Sequence, residues 1–186
     1  MKATDTLKEE HRLIERVLVI LEKAAKSAAQ NKPVRPEFFL KACDFNENFT
    51  EACHHKKEEE ILFKFLAENG VPIDGGLLGT LRTEHDQGRE YIRNMHAAAE
   101  AWAAGDQEGR AEVIWITSSY TTLLRQQLQK ENSILFALAE QTIPTEEQGQ
   151  VGEAFDRTET ETNAAALRDK YAAIVESLEQ EAASWK

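Results

Sequence analysis

Glycine and proline are scarce in this sequence, with nine and four copies among 186 residues. The chain therefore has few of the residues that interrupt regular structure, while alanine, glutamate, leucine, lysine and glutamine, which favour helices, are plentiful. No change in composition along the chain suggests a second, separate core. We therefore expect an all-α protein built around one core.

Long apolar runs are also missing from the sequence, which excludes a membrane-spanning helix. Residues 1–6 lack the apolar centre of a signal peptide, so we expect a cytoplasmic protein. Basic residues are too few to balance the acidic ones, 22 against 33, and the net charge is −11. Because this charge repels nucleic acid and anionic membranes, we expect neither as a partner.

Cysteine occurs only twice, at Cys43 and Cys53, ten residues apart in one predicted helix. A helix rises about 1.5 Å per residue, so the two residues lie about 15 Å apart. That separation excludes a disulfide between them. We predict that both are small buried residues.

Apolar residues recur at alternating spacings of three and four, the pattern of helices that pack nearly antiparallel. This pattern predicts four long helices, over residues 6–29, 36–68, 77–104 and 109–141. The first is expected to begin at a capping box of Thr6 and Glu9. Short connections predict an up-down-up-down four-helix bundle over residues 1–142. Residues 143–186 are predicted to add C-terminal helices that pack on the bundle or form a homodimer contact.

Polar side chains interrupt the inward-facing stripes of all four predicted helices. The candidate metal ligands among them are His11, His54, Glu58, His85 and Glu131. Counting from the predicted turns places these residues at one height. His11 lies 21 residues before Lys32, at the first turn, and His54 lies 22 after it; His85 and Gln127 are each 21 residues from Asp106, at the third turn. The bundle therefore brings its inward polar residues into one layer.

Histidines and carboxylates in one buried layer need partners, and a metal centre supplies them. His54 and Glu58, spaced i and i+4, project from one face of their helix and can hold a metal together. Glu58 and Glu131 would repel each other unless cations lie between them, and two bridged divalent ions resolve this. Imidazole and carboxylate suit iron, with manganese and zinc as competitors.

Several other polar residues are expected to face solvent. His55 is rotated off the inward stripe, and His96 is too far along the helix axis from His85 to join the layer. Glu10 and the Lys56-Lys57 pair are interpreted as parts of solvated helix faces.

Four segments together resemble the hemerythrin-like (HHE cation-binding domain) family, whose pattern is H…HxxxE…H…HxxxE on a four-helix bundle. They are Glu10-His11-Arg12, the run from His54 to Phe63, the run from Glu84 to Arg89, and the run from Lys130 to Phe136. The resemblance covers residues 1–142. It implies a non-haem, carboxylate-bridged di-iron centre in which His11 and His54 ligate one iron, His85 ligates the other, and Glu58 and Glu131 bridge them.

Gln127 departs from the family pattern, which has histidine at this position. A glutamine carbonyl oxygen is a poorer iron ligand than imidazole, so the iron on the His85 side is expected to be weaker. The outcomes are an asymmetric di-metal site with an open position, which we favour, a single metal, or poor loading. Glu15 is a candidate further ligand and Arg89 a candidate partner for a ligating carboxylate; surface salt bridges are their alternative roles.

The resemblance implies a protein that binds or senses oxygen, peroxide or nitric oxide, with a redox partner that the chain does not reveal. We expect a metal- or gas-binding protein rather than a dedicated enzyme, and assign no catalytic residue. Iron storage, iron delivery or repair of iron centres is the alternative within the same chemistry. A metal-free helical interaction module, in which the layer is a hydrogen-bonded network, is the alternative from another class.

Overall fold

The computed structural model describes residues 1–185, which form six helices and no strand. The predicted all-α class is therefore confirmed. The helices are α1 (Lys2–Ala29), α2 (Pro36–Phe45, continuing through Asn46–His55 and Glu58–Leu62 to Phe63–Glu68), α3 (Gly76–Ala103), α4 (Gln107–Lys130, continuing through Glu131–Leu135 to Phe136–Thr142), α5 (Thr145–Glu161) and α6 (Ala164–Ala183).

Local sequence signals set most helix ends, but the predicted start of α1 is wrong. The helix begins at Lys2, and the Thr6 hydroxyl donates to the carbonyl of Lys2 inside it, so no capping box forms there. Between α1 and α2 the backbone turns at Asn31, which has φ of 58°, and Pro36 occupies the first turn of α2. The side chain of Asp106 caps α4 by accepting from the Glu108 amide at 2.9 Å.

Two π-helical stretches of α2, Asn46–His55 and Glu58–Leu62, and one of α4, Glu131–Leu135, interrupt the regular α-helix. A π-helix forms i→i+5 hydrogen bonds, is rare, and is frequent at functional sites. Its wider turn reduces the rotation between successive side chains. Neighbouring residues that would diverge on an α-helix can therefore both point inward.

Buried apolar residues form two clusters, on either side of a polar layer. The large cluster includes Ile14, Phe49, Ile92 and Leu128, and the small cluster includes Leu7, Ile61, Leu81 and Leu135. Helices α1 and α3 run from the small cluster to the large one, whereas α2 and α4 run the opposite way. The closest helix pairings are α3 with α4, α1 with α4, and α2 with α3. This alternation is consistent with the predicted up-down-up-down bundle.

The C-terminal helices extend both clusters. Helix α5 contributes Val151 and Phe155 to the small cluster, and α6 contributes Tyr171 and Leu178 to the large one. The Tyr171 hydroxyl also donates to Asp44 Oδ2 at 3.1 Å, which joins α6 to α2 by a polar contact. The predicted dimer contact stays a prediction, and Lys186 lies outside the described residues.

Both cysteines are buried free thiols, as predicted. Burial raises the pKa of Cys43 to about 12 and that of Cys53 to about 11, so both thiols stay protonated at neutral pH. Within residues 1–185, every helix is too short or too polar to cross a membrane.

Candidate metal centre

The layer between the two clusters contains histidines and glutamates from four helices. These side chains are fully or almost fully buried: His11 from α1, His54 and Glu58 from α2, His85 from α3, and Glu131 from α4. Ligand atoms of His11, His54, Glu58 and Glu131 all lie within 4.8 Å of one another, and so do those of His55, Glu58 and His85. Glu58 belongs to both groups, each of which could hold a metal ion.

The two carboxylates each point one oxygen towards either half of the layer. Glu58 Oε1 lies 3.7 Å from His54 Nε2, and its Oε2 lies 3.5 Å from His85 Nε2. Glu131 Oε2 lies 3.2 Å from His11 Nε2, and its Oε1 lies 3.5 Å from His85 Nε2. The layer therefore has two halves, the His11/His54 half and the His85 half, and both glutamates span them.

Polar atoms of this layer lack hydrogen-bond partners among residues 1–185. Both oxygens of Glu58, both oxygens of Glu131, His85 Nε2 and Gln127 Oε1 are all buried and unpaired. A buried carboxylate without donors costs several kcal/mol unless a cation or a proton compensates its charge. The residues therefore fit bound cations as the missing partner.

The His11/His54 half places two imidazole nitrogens face to face, with the Nε2 atoms 3.1 Å apart. Each ring has an acceptor at its other nitrogen, Asn132 Oδ1 at 3.0 Å from His11 Nδ1 and Glu10 Oε2 at 3.0 Å from His54 Nδ1. When both Nδ1–H groups donate outwards, both Nε2 atoms carry lone pairs and cannot hydrogen-bond to each other. Two lone pairs that face each other in this way suit a shared cation.

Glu10 and Lys57, which the sequence pattern assigned to solvent, are both buried, so that prediction is wrong for them. Lys57 Nζ forms an ion pair with Glu10 and a second one, at 3.1 Å, with Glu159 of α5. Arg168 of α6 contacts the same Glu159 at 2.9 Å and Glu10 at 3.4 Å. The error arose because the helical periodicity was interpreted for four helices alone. Helices α5 and α6 pack over the faces that this interpretation assigned to solvent.

In the His85 half, a carboxylate and a basic residue also hold the outer nitrogen of the histidine. His85 Nδ1 lies 2.6 Å from Glu59 Oε1, and Arg89 pairs with Glu59 through its guanidinium. Arg89 Nε also donates to Glu51 Oε2 at 2.8 Å. Arg89 thus joins two carboxylates of α2 to α3 and lies beside the site without entering the ligand layer.

His55 was predicted to face solvent, and the structure contradicts this: the residue is only 2% exposed. Its ring stacks on that of His85, with centroids 3.8 Å apart and an interplanar angle of 10°. His54 and His55 lie in one π-helical stretch, which lets both adjacent side chains point inward. A regular 3.5-residue stripe assigns one of them to the surface, which is why the prediction failed.

Gln127 reaches the His85 half of the layer and is 1% exposed. Its Nε2 lies 3.0 Å from His55 Nε2. Tyr120, one heptad earlier, is a buried core tyrosine that donates its hydroxyl to Asn46 Oδ1 at 2.5 Å.

Two other candidates lie outside the layer. Glu15 is exposed and lines a surface groove with Arg125 and Asn132. His96, predicted to face solvent, has 41% of its side chain exposed and lies 3.6 Å from Glu100.

The two halves differ in their electrostatics. Burial and repulsion from His11 outweigh Glu10 and lower the pKa of His54 to about 4, so this imidazole is neutral at pH 7. Burial would also lower the pKa of His85, but Glu131 and Glu59 outweigh it and raise that pKa to about 10. Burial and repulsion from Glu131 raise the pKa of Glu58. Protons therefore compensate part of the carboxylate charge when no metal is bound, chiefly in the His85 half.

Comparison with known families decides which kind of centre this layer resembles. The sequence model of the hemerythrin HHE cation-binding domain matches residues 2–139. The chain belongs to the hemerythrin family. The matched segment contains every histidine and glutamate of the layer and ends before α5, so the Glu159 and Arg168 contacts lie beyond it.

The sequences of several relatives align with nearly the whole length of this hemerythrin-family chain. They include uncharacterized protein Rv1995 and uncharacterized protein MT2051 of Mycobacterium tuberculosis and uncharacterized protein Mb2018 of Mycobacterium bovis. Each is 24% identical over 180 residues, which cover 95% of this chain and 70% of the relative. No solved structure matches the chain.

Proposed function

We propose that this hemerythrin-family chain is a cytoplasmic non-haem di-iron protein that binds or senses oxygen, peroxide or nitric oxide. The observation that carries the proposal is the orientation of Glu58 and Glu131. Each presents one oxygen to either half of the layer, and all four oxygens are buried without hydrogen-bond partners. Carboxylates in this position are suited to bridge two cations.

Under this proposal, His11 and His54 hold one iron, His85 holds the other, and Glu58 and Glu131 lie between them in an up-down-up-down bundle. The mixture of imidazole and carboxylate suits ferrous or ferric iron and also admits manganese or zinc. When bound there, iron would supply the redox chemistry that binding of a diatomic ligand or peroxide requires.

The surrounding residues orient the ligands and exclude water. The Phe136 ring stacks on His11 with centroids 5.4 Å apart, and the Phe63 ring stacks on His85 with centroids 6.0 Å apart. These rings keep the dielectric low at both ends of the layer, which strengthens the attraction between carboxylate and cation. The acceptors at each Nδ1 fix the tautomer that leaves Nε2 free for a metal.

The experiment that tests the proposal counts iron, manganese and zinc per chain after purification and again after anaerobic reconstitution with ferrous iron. A visible spectrum is then recorded before and after addition of oxygen, peroxide and nitric oxide. We expect about two irons per chain and absorption that changes with at least one of these ligands.

The alternative functions predict different results. Iron that loads but exchanges rapidly with a chelator, with no spectral response to the gases or peroxide, would favour storage or delivery. A chain that takes up no metal under any of these conditions would overturn the proposal and leave the metal-free interaction module.

A further inference from the structure

His55 contacts Gln127, the fourth-helix residue at the position where the family pattern has histidine. The Gln127 amide nitrogen points at His55 Nε2 from 3.0 Å away. The glutamine oxygen has no hydrogen-bond partner within residues 1–185. Gln127 therefore reaches the layer but meets another imidazole there.

The other nitrogen of His55 is fixed in the same way as that of the predicted ligands. His55 Nδ1 lies 2.8 Å from Glu51 Oε1, and Arg89 holds the second oxygen of Glu51 at 2.8 Å. With Nδ1–H donated to this carboxylate, Nε2 carries the lone pair that points inward. A ligating histidine almost always has such a partner, and His54 and His85 have theirs in Glu10 and Glu59.

The position of the ring also matches that of a ligand. His55 stacks on His85, and ligand atoms of both lie within 4.8 Å of a Glu58 oxygen. A structural histidine in a core needs only a satisfied hydrogen bond at each nitrogen. Such a role does not require the ring to stack on a second imidazole with a ligand atom close to the unpaired carboxylate of Glu58.

We propose that His55 supplies the imidazole that Gln127 does not, and that it ligates the metal of the His85 half. This inference rests on the proposed function. Helix α2 would then provide three ligands, His54, His55 and Glu58, whereas α4 provides Glu131 alone. Gln127 would act as a positioning residue, since its amide holds His55 until a metal takes the Nε2 lone pair.

The test measures metal binding to the full chain by elemental analysis and by calorimetric titration with ferrous iron under anaerobic conditions. H55Q should lose the weaker of two metal equivalents and keep the stronger one, because His11 and His54 are intact. H96Q, which changes a half-buried histidine of α3 outside the layer, is the matched control and should bind as the unaltered chain does. Circular dichroism establishes that each variant is folded.

A second variant separates ligation from packing. H55Q/Q127H moves the imidazole to α4, and it should recover the lost equivalent if the layer needs a nitrogen ligand at this place. H55Q that retains both equivalents with unchanged affinity would overturn the assignment of His55 alone. So would an H55Q/Q127H chain that is folded but recovers no metal. An unaltered chain that binds no metal would instead overturn the proposed function and this inference together.

Discussion

The His11/His54 half and the His85 half share two glutamates, but their histidines differ in protonation state when no metal is bound. In the first, His54 is neutral at pH 7, and the Nε2 atoms of His11 and His54 face each other 3.1 Å apart. In the second, a protonated His85 stands beside Glu58 and Glu131, and Gln127 occupies the place where the family has histidine. The first half can therefore bind a cation without losing a proton from His54, whereas His85 in the second half must release a proton before it can ligate a cation. We expect the first half to bind its metal more tightly.

The largest effect is expected when a shared carboxylate is removed, because each of Glu58 and Glu131 contacts both halves. E58Q and E131Q should each weaken metal binding in both halves by more than about 100-fold, since loss of an outer hydrogen-bond partner alone costs about 10–100-fold. Titration with ferrous iron measures this. E47Q, at an exposed position of α2, is the control. A variant that keeps one metal at unaltered affinity would show that its glutamate serves only one half.

Neutralising a carboxylate that accepts from a histidine Nδ1 is expected to weaken only one of the two metals. E10Q should weaken the tighter metal and E59Q the weaker one, by about 10–100-fold each, because the neutral amide makes the bound imidazole less basic. Two-site fits of the titration curves separate the two affinities. If both variants affect the same metal, the division of the layer into two halves is wrong.

A smaller effect is expected from pH in the chelator-treated, metal-free protein. His54 has a folded pKa of about 4, below its ordinary 6.5, so its contribution to stability is full above pH 6.5 and is lost as pH falls towards 4. His85 has a folded pKa of about 10, so its contribution is full below pH 6.5 and is lost as pH rises through 10. Melting temperatures and histidine ring resonances across this range test both signs. A His85 resonance that titrates near 6.5 would contradict the described network.

The smallest effect is expected at Asn132, the exposed partner of His11 Nδ1. In N132A water can replace the amide oxygen, so the tighter metal should weaken by no more than about tenfold, at the lower limit for such partners. Comparing the loss of metal affinity in N132A with that in E10Q, which affects the same half, then measures how much burial and charge strengthen a histidine's hydrogen-bond partner. A loss for N132A as large as that for E10Q would mean that water does not reach this nitrogen.

The sequence was sufficient to predict the all-α class and the approximate span of the long helices. Its 3.5-residue stripe selected His11, His54, Glu58, His85 and Glu131, which the structure places in one buried layer. They could be selected because polar residues at inward positions conflict with the apolar pattern around them, and their role as metal ligands stays a prediction. That conflict is visible without any coordinates.

The residues that support the layer could not be found in this way. His55 was missed because a π-helical turn changes the rotation between neighbours, and no single-residue pattern in the sequence marks such a turn. Glu10 and Lys57 were missed because their cover comes from α5 and α6, whose contacting residues Glu159 and Arg168 are more than 100 positions away in the chain. The acidic residue next to His11, Glu10, was the available signal in the sequence and was interpreted as part of a solvated helix face.

The ion pairs of Lys57 and Glu10 with Glu159 and Arg168 join the metal layer to helices that follow the family-matched segment. A gene cut at residue 139 would leave the buried Lys57 with Glu10 as its remaining partner and would expose the sides of α1 and α2 that carry these two residues. Transplanting the centre into another bundle would therefore require the C-terminal helical pair as well as the recognisable ligand motifs. In this protein the structural unit that encloses the candidate metal centre is larger than the domain by which the family is recognised.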